Sequence, residues 1–381
     1  MDFNLSEQEL AVQKLARDFA QKEIAPYIME FDESQEFPME IAKKLGEIGF
    51  LGIIFPEEYG GSHFSVTEYA IIVEEISKVD PSMGLTIAAH NGLCTNHIYS
   101  FANDSLKKKY LPDLTSGRKL GAWGLTENVS GSDAAGMATT AEKKNGHYII
   151  NGSKLFITHG SVGETAVVTA VTNKEDKKNG ISAFILEKGW KGFKTGKKEN
   201  KLGMRSSDTA ELIFENVEVP AENLIGEEGQ GFKQCMKILD GGRIAIAALS
   251  LGIAQGALDA SLKYAKQRIQ FGKSLSEFQG IQFKLSDMAT EIEAARLLVY
   301  KAASHRDNGK DINLSAAMAK YYASEIATKA TNEAIQIHGG YGFIKEFPVE
   351  KLYRDVKLMT IGEGTSEVQK MVIARNILNM F

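Results

Sequence analysis

The sequence predicts an α+β chain: an N-terminal helical domain, a middle antiparallel β-sheet domain and a C-terminal antiparallel four-helix bundle. Three observations predict it. Apolar residues recur at helical spacing over residues 1–118 and again over 231–381. Between them, HYIINGSKLFITHG, ETAVVTAVT, ISAFILE and TAELIFENVEV are rich in β-branched and aromatic residues. No helical stretch separates these four segments, which argues against a parallel sheet with crossover helices. The expected domains are therefore 1–118, 119–230 and 231–381.

Each element has a local reason. Ser6 with Glu9 makes a capping-box pair, and Leu15, Phe19 and Ile24 then follow at helical spacing until Pro26. Ser65 and Glu68 repeat that signature before Tyr69, Ile72, Val73 and Ile76. A further helix is expected from Pro81 through His90 and Ile98 toward Phe101, and a shorter one from Asp104 that stops before Pro112. In the middle segment, Asn151-Gly152 reads as a tight turn and Lys177 to Gly180 as a loop. The Lys-rich stretch from Lys191 to Lys201 reads as a solvated loop. Long helices are expected over 232–267, 276–306 and 312–338, where Ala, Ile and Leu alternate with charged residues. Ser366 and Gln369 pair as a capping box before the last helix.

Composition excludes several classes. The net charge is −5, a poor basis for general nucleic-acid binding. Two cysteines, Cys94 and Cys235, cannot build a disulfide scaffold and suit a reducing compartment. No uninterrupted apolar run reaches the ~18 residues of a membrane span, and MDFNLSEQEL is unlike a signal peptide. A cytoplasmic protein without membrane insertion is expected. There is no G-x-G-x-x-G after a strand, no phosphate-binding P-loop, no H-E-x-x-H and no G-x-S-x-G. The seven histidines lack metal spacing, so no metal is expected. His90 and His97, two helical turns apart, read as buried structural residues.

Three glycine-and-acid segments stand out. Gly124-Leu-Thr-Glu-Asn-Val-Ser-Gly-Ser-Asp-Ala-Ala-Gly136 offers bare backbone N–H groups and hydroxyls, suited to an anionic or heteroaromatic edge. A plain irregular loop reads the same way. Gln336-Ile-His-Gly-Gly-Tyr-Gly-Phe343 follows a long helix. A C-cap explains one of its glycines, and close approach to a phosphate explains the others. Gly362-Glu-Gly-Thr-Ser-Glu367 places Glu363 in a loop between glycines, though a surface carboxylate would look alike.

Together these segments resemble the acyl-CoA dehydrogenase family of flavoproteins, over nearly the whole chain. The first segment matches one family signature in full. The second does so from Gln336 through Glu346 and Lys351 to Asp355, and Glu-Gly-Thr-Ser follows at the expected separation. The resemblance implies FAD and dehydrogenation of an acyl-CoA thioester between its α and β carbons. Glu363 matches the family's base. An α proton beside a thioester is weakly acidic, and a carboxylate raised toward neutrality by burial can take it. Relatives that carry the base on the first long helix of the bundle have it where this chain has Gly242, which leaves Glu363.

Other roles follow position by position. Trp123, Leu125, Thr126, Gly131 and Ser132 would contact the flavin or its phosphates. Phe156, Ile157 and Thr158 would line the isoalloxazine, although Phe156 also reads as strand core. Arg268, Phe271 and Gln279 resemble residues that reach the FAD of a neighbouring subunit, with a surface ion pair as the other reading of Arg268. Gln336, Gly339 and Gly340 would face the pyrophosphate, and Thr365 and Glu367 the adenosine. Ser132, Asp240, Arg243 and Gly364 resemble contacts to the substrate, yet Asp240 and Arg243 also have the spacing of a structural i,i+3 ion pair. The resemblance further implies a homotetramer built as a dimer of dimers, and transfer of electrons to an electron-transfer flavoprotein. Many members have an aromatic residue before the base. Here it is Gly362, which removes bulk beside the reactive carbons and makes room for a branched or cyclic acyl group; a short straight or branched acyl-CoA is the expected substrate. An acyl-CoA oxidase, a silent flavin-binding scaffold and a purely structural helical protein are the competing readings.

Overall fold

The computed structural model describes residues 4–176 and 178–380. Seven helices come first: α1 (Glu7–Phe19), α2 (Ile28–Ser34), α3 (Met39–Glu47), α4 (Val66–Ser77), α5 (Pro81–Ala89), α6 (Asn96–Phe101) and α7 (Asp104–Thr115). Both capping boxes form. The Ser6 and Ser65 hydroxyls accept from the Glu9 and Glu68 N–H groups, and each glutamate accepts from the serine N–H in return. A π-helical turn, His90–Thr95, joins α5 to α6, so the expected helix from Pro81 toward Phe101 is nearly continuous.

Helix α7 departs from expectation, because Pro112 lies inside it. Leu111 and Leu114 are fully buried on either side of the proline. Their burial outweighs one lost backbone hydrogen bond, and the Ser116 hydroxyl donates to the Pro112 carbonyl at 2.6 Å.

Seven strands make one sheet: β1 (Gly121–Gly124), β2 (Thr140–Lys144), β3 (His147–Thr158), β4 (Thr165–Val171), β5 (Ile181–Glu187), β6 (Phe193–Lys198) and β7 (Thr209–Pro220). The pairs β2–β3, β3–β7, β4–β5 and β6–β7 are antiparallel, as expected. Strand β1 instead runs parallel to β4, because its chain passes through the β2–β3 hairpin before returning beside it. The tight turn is Asn145-Gly146, both with positive φ (50° and 80°). Asn151-Gly152 is not a turn. It lies within β3 at a register shift, with Gly152 at φ 142° and its missing side chain making room for Thr139. The stretch from Lys191 to Lys201 is also more than a loop, since it contains β6. That strand lies at the sheet edge with mostly exposed side chains, where lysines guard against further pairing. The expected loop near residue 180 does join β4 to β5; Lys177 within it lies outside the described residues.

After the sheet come α8 (Gly231–Gln267), the small hairpin β8 (Ile269–Gln270) and β9 (Lys273–Ser274), α9 (Gln279–Asp307), α10 (Asn313–His338), α11 (Val349–Asp355) and α12 (Ser366–Leu378). Asn313, at the start of α10, donates to Asp240 near the start of α8, and His338 at its end stacks on Tyr264 near the end of α8. Those two helices are therefore parallel. Arg306, at the end of α9, packs on Gly241, so α9 is antiparallel to both. Asn376 of α12 reaches Asn313 and Ser366 reaches Glu325, so α12 runs antiparallel to α10. The cap of α12 is Thr365, not Ser366; the Thr365 hydroxyl accepts from Val368 N–H. Helix α8 is long and apolar enough to cross a bilayer, but 83% of its apolar window is buried inside the fold. It is the central core helix.

Candidate active site

Glu363 lies in the loop before α12 with a left-handed backbone, φ 52°, and Gly364 follows at φ 93°. A non-glycine residue pays for that conformation, and the surroundings hold it there. The Gly362 N–H donates to Leu358 O at 2.8 Å on one side. On the other, the Gly364 carbonyl accepts from Lys320 Nζ at 2.7 Å and from Gln369 Nε2 at 2.9 Å.

The carboxylate turns inward. Its Oε2 is buried without a hydrogen-bond partner. It occupies the space beside Gly242 where a side chain on α8 would otherwise project; a Cβ there would overlap it. Leu93 borders the same space at 3.5 Å from that point. Tyr69 Oη lies 3.3 Å from the equivalent point at Gly92 and donates to Ala88 O at 2.9 Å. Burial pushes the Glu363 carboxyl up to about 7, against the opposing pull of the Lys320 and Arg243 charges. Lys320 is itself brought down to about 8 by burial. A buried carboxylate with that affinity can accept a proton from a weak carbon acid near neutral pH.

The glycine at 242 is thus the seat of this carboxylate. Gly242→Ala is expected to fold, because the collision is with the flexible end of a side chain. The displaced carboxylate is expected to cost turnover about 10²-fold, which steady-state kinetics on the purified variant would measure. Unchanged turnover would show that the seat does not matter.

Part of the sequence-derived set gathers on β1, the 124–126 segment and the end of β3, and Arg243 stands near Glu363. Trp123 lies in β1, half-buried, and Leu125, packed with it just beyond the strand, is buried. The Thr126 carbonyl accepts from Leu155 N–H at 2.8 Å, so residues 124–126 lie alongside 154–158. Phe156 stands on a bulge of β3 with φ 60° and is 64% exposed, which removes the strand-core reading. The Ile157 side chain does point into the sheet core, so only its backbone faces outward. Thr158 is half-buried at the strand's end. Gly131 and Ser132 are exposed, and Gly131 has open space where a Cβ would be. Asp240 and Arg243 do pair, at 2.5 Å, although the Arg243 Nε remains buried and unpartnered. Thr365 is engaged as a helix cap, and Glu367 is exposed.

A second group lines a cleft of about 490 Å³ at the far end of the bundle, bounded by Tyr264, Arg268, Gly339, Gly340 and Tyr341. Arg268 stacks over the Tyr341 ring at 5.2 Å and makes no ion pair among the described residues, which removes the surface-pair reading. Gly339, at φ 61°, and Gly340 are open where a Cβ would be. Gln336 and Gln279 are exposed, and Phe271, on the β8–β9 hairpin, is 93% exposed.

Sequence reasoning missed Lys154, Glu127, Lys320 and Tyr69. Lys154 Nζ, fully buried under the 124–136 loop, donates to Glu127 Oε1 at 2.6 Å and to Leu125 O at 3.1 Å. Glu127 in turn accepts from the Ala138 and Thr139 N–H groups. A lysine inside an alternating strand and another in an Ala-rich helix face were the available signals.

These residues fit an FAD. An outward-facing aromatic ring on a bulge beside a hydroxyl suits a heteroaromatic plane. Open glycine backbone beside an unpaired arginine suits a diphosphate.

Comparison with known proteins agrees with the arrangement. The acyl-CoA dehydrogenase N-terminal, middle and C-terminal domain models match residues 6–118, 122–217 and 229–378. The short-chain specific acyl-CoA dehydrogenase of Clostridium acetobutylicum is 49% identical, over 99% of this chain and all of its own. The butyryl-CoA dehydrogenase structure from Megasphaera elsdenii superposes with a TM-score of 0.98 at 48% identity, over 99% of this chain and all of that one. A chain in a structure described as the electron transferring flavoprotein of Acidaminococcus fermentans also gives 0.98, at 50% identity, over 99% of this chain and all of that one. A carboxylate raised by burial, residues fit for FAD and a match along the length of the chain lead to one conclusion: the chain belongs to the acyl-CoA dehydrogenase family and is an FAD-dependent acyl-CoA dehydrogenase.

Proposed function

We propose that the enzyme dehydrogenates a short straight or branched acyl-CoA to its trans-2-enoyl-CoA, with Glu363 as the base that takes the α proton. The observation that carries this reading is the buried, unpartnered Glu363 Oε2 at the Gly242 seat, with its carboxyl near 7. The Glu363 backbone N–H is placed in a glycine-flanked loop, where it can donate to the thioester carbonyl and stabilise the developing enolate. Bound FAD supplies the acceptor for the hydride that leaves the β carbon.

The chain's own residues divide the remaining work. Trp123, Leu125, Thr126, Phe156, the Ile157 backbone and Thr158 hold the flavin ring. Gly131, Ser132, Arg268, Phe271, Gln279, Gln336, Gly339 and Gly340 serve the rest of the cofactor, some across a subunit boundary. Thr365 and Glu367 stand near the adenosine. Arg243, carrying Asp240, Ser132 and the Gly364 backbone face the CoA thioester. Exposed Phe271, Ile269, Phe283 and Phe343 support burial against a second copy, consistent with a homotetramer. Gly362, without a side chain before the base, supports a short straight or branched acyl group. Likeness to the butyryl-CoA dehydrogenase and to the Acidaminococcus fermentans chain supports short substrates and an electron-transfer flavoprotein as acceptor.

The test is turnover of a panel of acyl-CoAs from C4 upward, straight and branched, with purified electron-transfer flavoprotein as acceptor. Highest kcat/KM among the short and branched members, with enoyl-CoA as product, is expected. A preference for long chains, or rapid peroxide formation in place of transfer to the flavoprotein, would overturn the assignment.

A further inference from the structure

His97 joins three parts of the chain that are far apart in sequence. The Trp123 indole N–H, on β1, donates to His97 Nδ1 at 3.0 Å. His97 Nε2, on α6, lies 3.0 Å from Gln234 Oε1 on α8. Gln234 Nε2 then donates to the Ile225 carbonyl at 3.0 Å. An indole nitrogen can only donate, so His97 Nδ1 must be the acceptor and Nε2 must carry the proton. One neutral tautomer satisfies every atom in the chain. Burial supports that form by pulling the His97 pKa down to about 4. The imidazole is fully buried and packs edge-on against Phe101 at 5.6 Å.

A half-buried tryptophan has several rotamers open to it, and the hydrogen bond selects one. We propose that His97 is a positioning residue for the cofactor: through the indole N–H it fixes Trp123 as a rigid wall of the flavin site before FAD binds. The proposal rests on the flavin contact assigned above to Trp123. Gln234 holds the tautomer, so it acts one step further out.

The test separates the hydrogen bond from its consequence. Trp123 and Trp190 are the two tryptophans of the chain, so a Trp190→Phe background reports Trp123 alone. In that apoprotein, His97→Phe is expected to shift the indole emission to shorter wavelength, and His97→Gln, which keeps an acceptor, to restore most of it. In the reconstituted enzyme, His97→Phe is expected to weaken FAD binding about tenfold, the size of one buried donor left unpaired. It is also expected to raise residual flavin fluorescence and lower kcat with KM for acyl-CoA unchanged. Unaltered apoprotein emission in His97→Phe would refute the hydrogen bond. Altered emission with parental FAD affinity and flavin fluorescence would refute the positioning role. Should FAD bind the Trp190→Phe parent without changing the Trp123 emission, the flavin contact of Trp123 fails, whatever His97 does.

Discussion

Glu363→Gln is expected to lower turnover by ~10³-fold or more while flavin content and acyl-CoA binding stay intact. Glutamine keeps the shape at the Gly242 seat but cannot take a proton. The Glu363 carboxyl titrates near 7, so the wild-type kcat/KM is expected to rise with pH through that value and then level off. The same titration bears on stability. The folded-state pKa is raised from 4.5 to about 7, so between those values the folded protein binds the extra proton. The associated stability is complete below the unfolded value and is lost as pH rises through about 7, a cost of about 3 kcal/mol. Glu363→Gln removes that cost. The variant is expected to melt higher than wild type at pH 8 and close to it at pH 5, as calorimetry would measure. A variant that turns over normally, or that melts lower at pH 8, contradicts the assignment of a buried base.

Lys154→Met is expected to have the largest effect on stability and cofactor affinity together. Lys154 and Glu127 are both buried, and removing one partner strands the other charge, a cost of about 3–5 kcal/mol. Burial lowers the Lys154 pKa, whereas Lys154 and the Ala138 and Thr139 contacts hold the Glu127 carboxyl low against burial. With both charged, the pair ties the 124–136 loop to β3 through Leu125 O and the two N–H groups. The variant is expected to unfold at lower urea and to lose FAD on gel filtration. The double variant Glu127→Gln/Lys154→Met, with no stranded charge, is expected to recover part of the stability. A single variant as stable and as yellow as wild type would show that the pair does not hold the loop.

Much of the fold was legible because its signals are local. Ser6–Glu9 and Ser65–Glu68 cap helices within four residues, and alanine-rich periodicity marks α8, α9 and α10. Misreadings arose where two sites carry the same local signal. Asn145-Gly146 and Asn151-Gly152 are the same dipeptide, and only pairing with β7 decides that the second is a bulge. Pro112 stays in its helix because leucines around it are buried by distant elements. The site follows the same rule. Glu363 and its flanking glycines stand together in sequence, so the motif exposes them. Its partners do not: Gly242, Lys320, Tyr69 and Leu93 lie on other helices and meet it only in the fold. His97, read from sequence as structural, gains its role from Trp123 and Gln234, 26 and 137 residues away.

The most direct test of the account is the visible spectrum of the purified holoenzyme without oxygen, recorded while a short acyl-CoA is added to wild type and to Glu363→Gln. The account predicts a flavin band that bleaches in wild type and persists in Glu363→Gln with substrate bound. Bleaching of both proteins alike, or of neither with any acyl-CoA, would contradict proton abstraction by Glu363 as the step that starts the reaction.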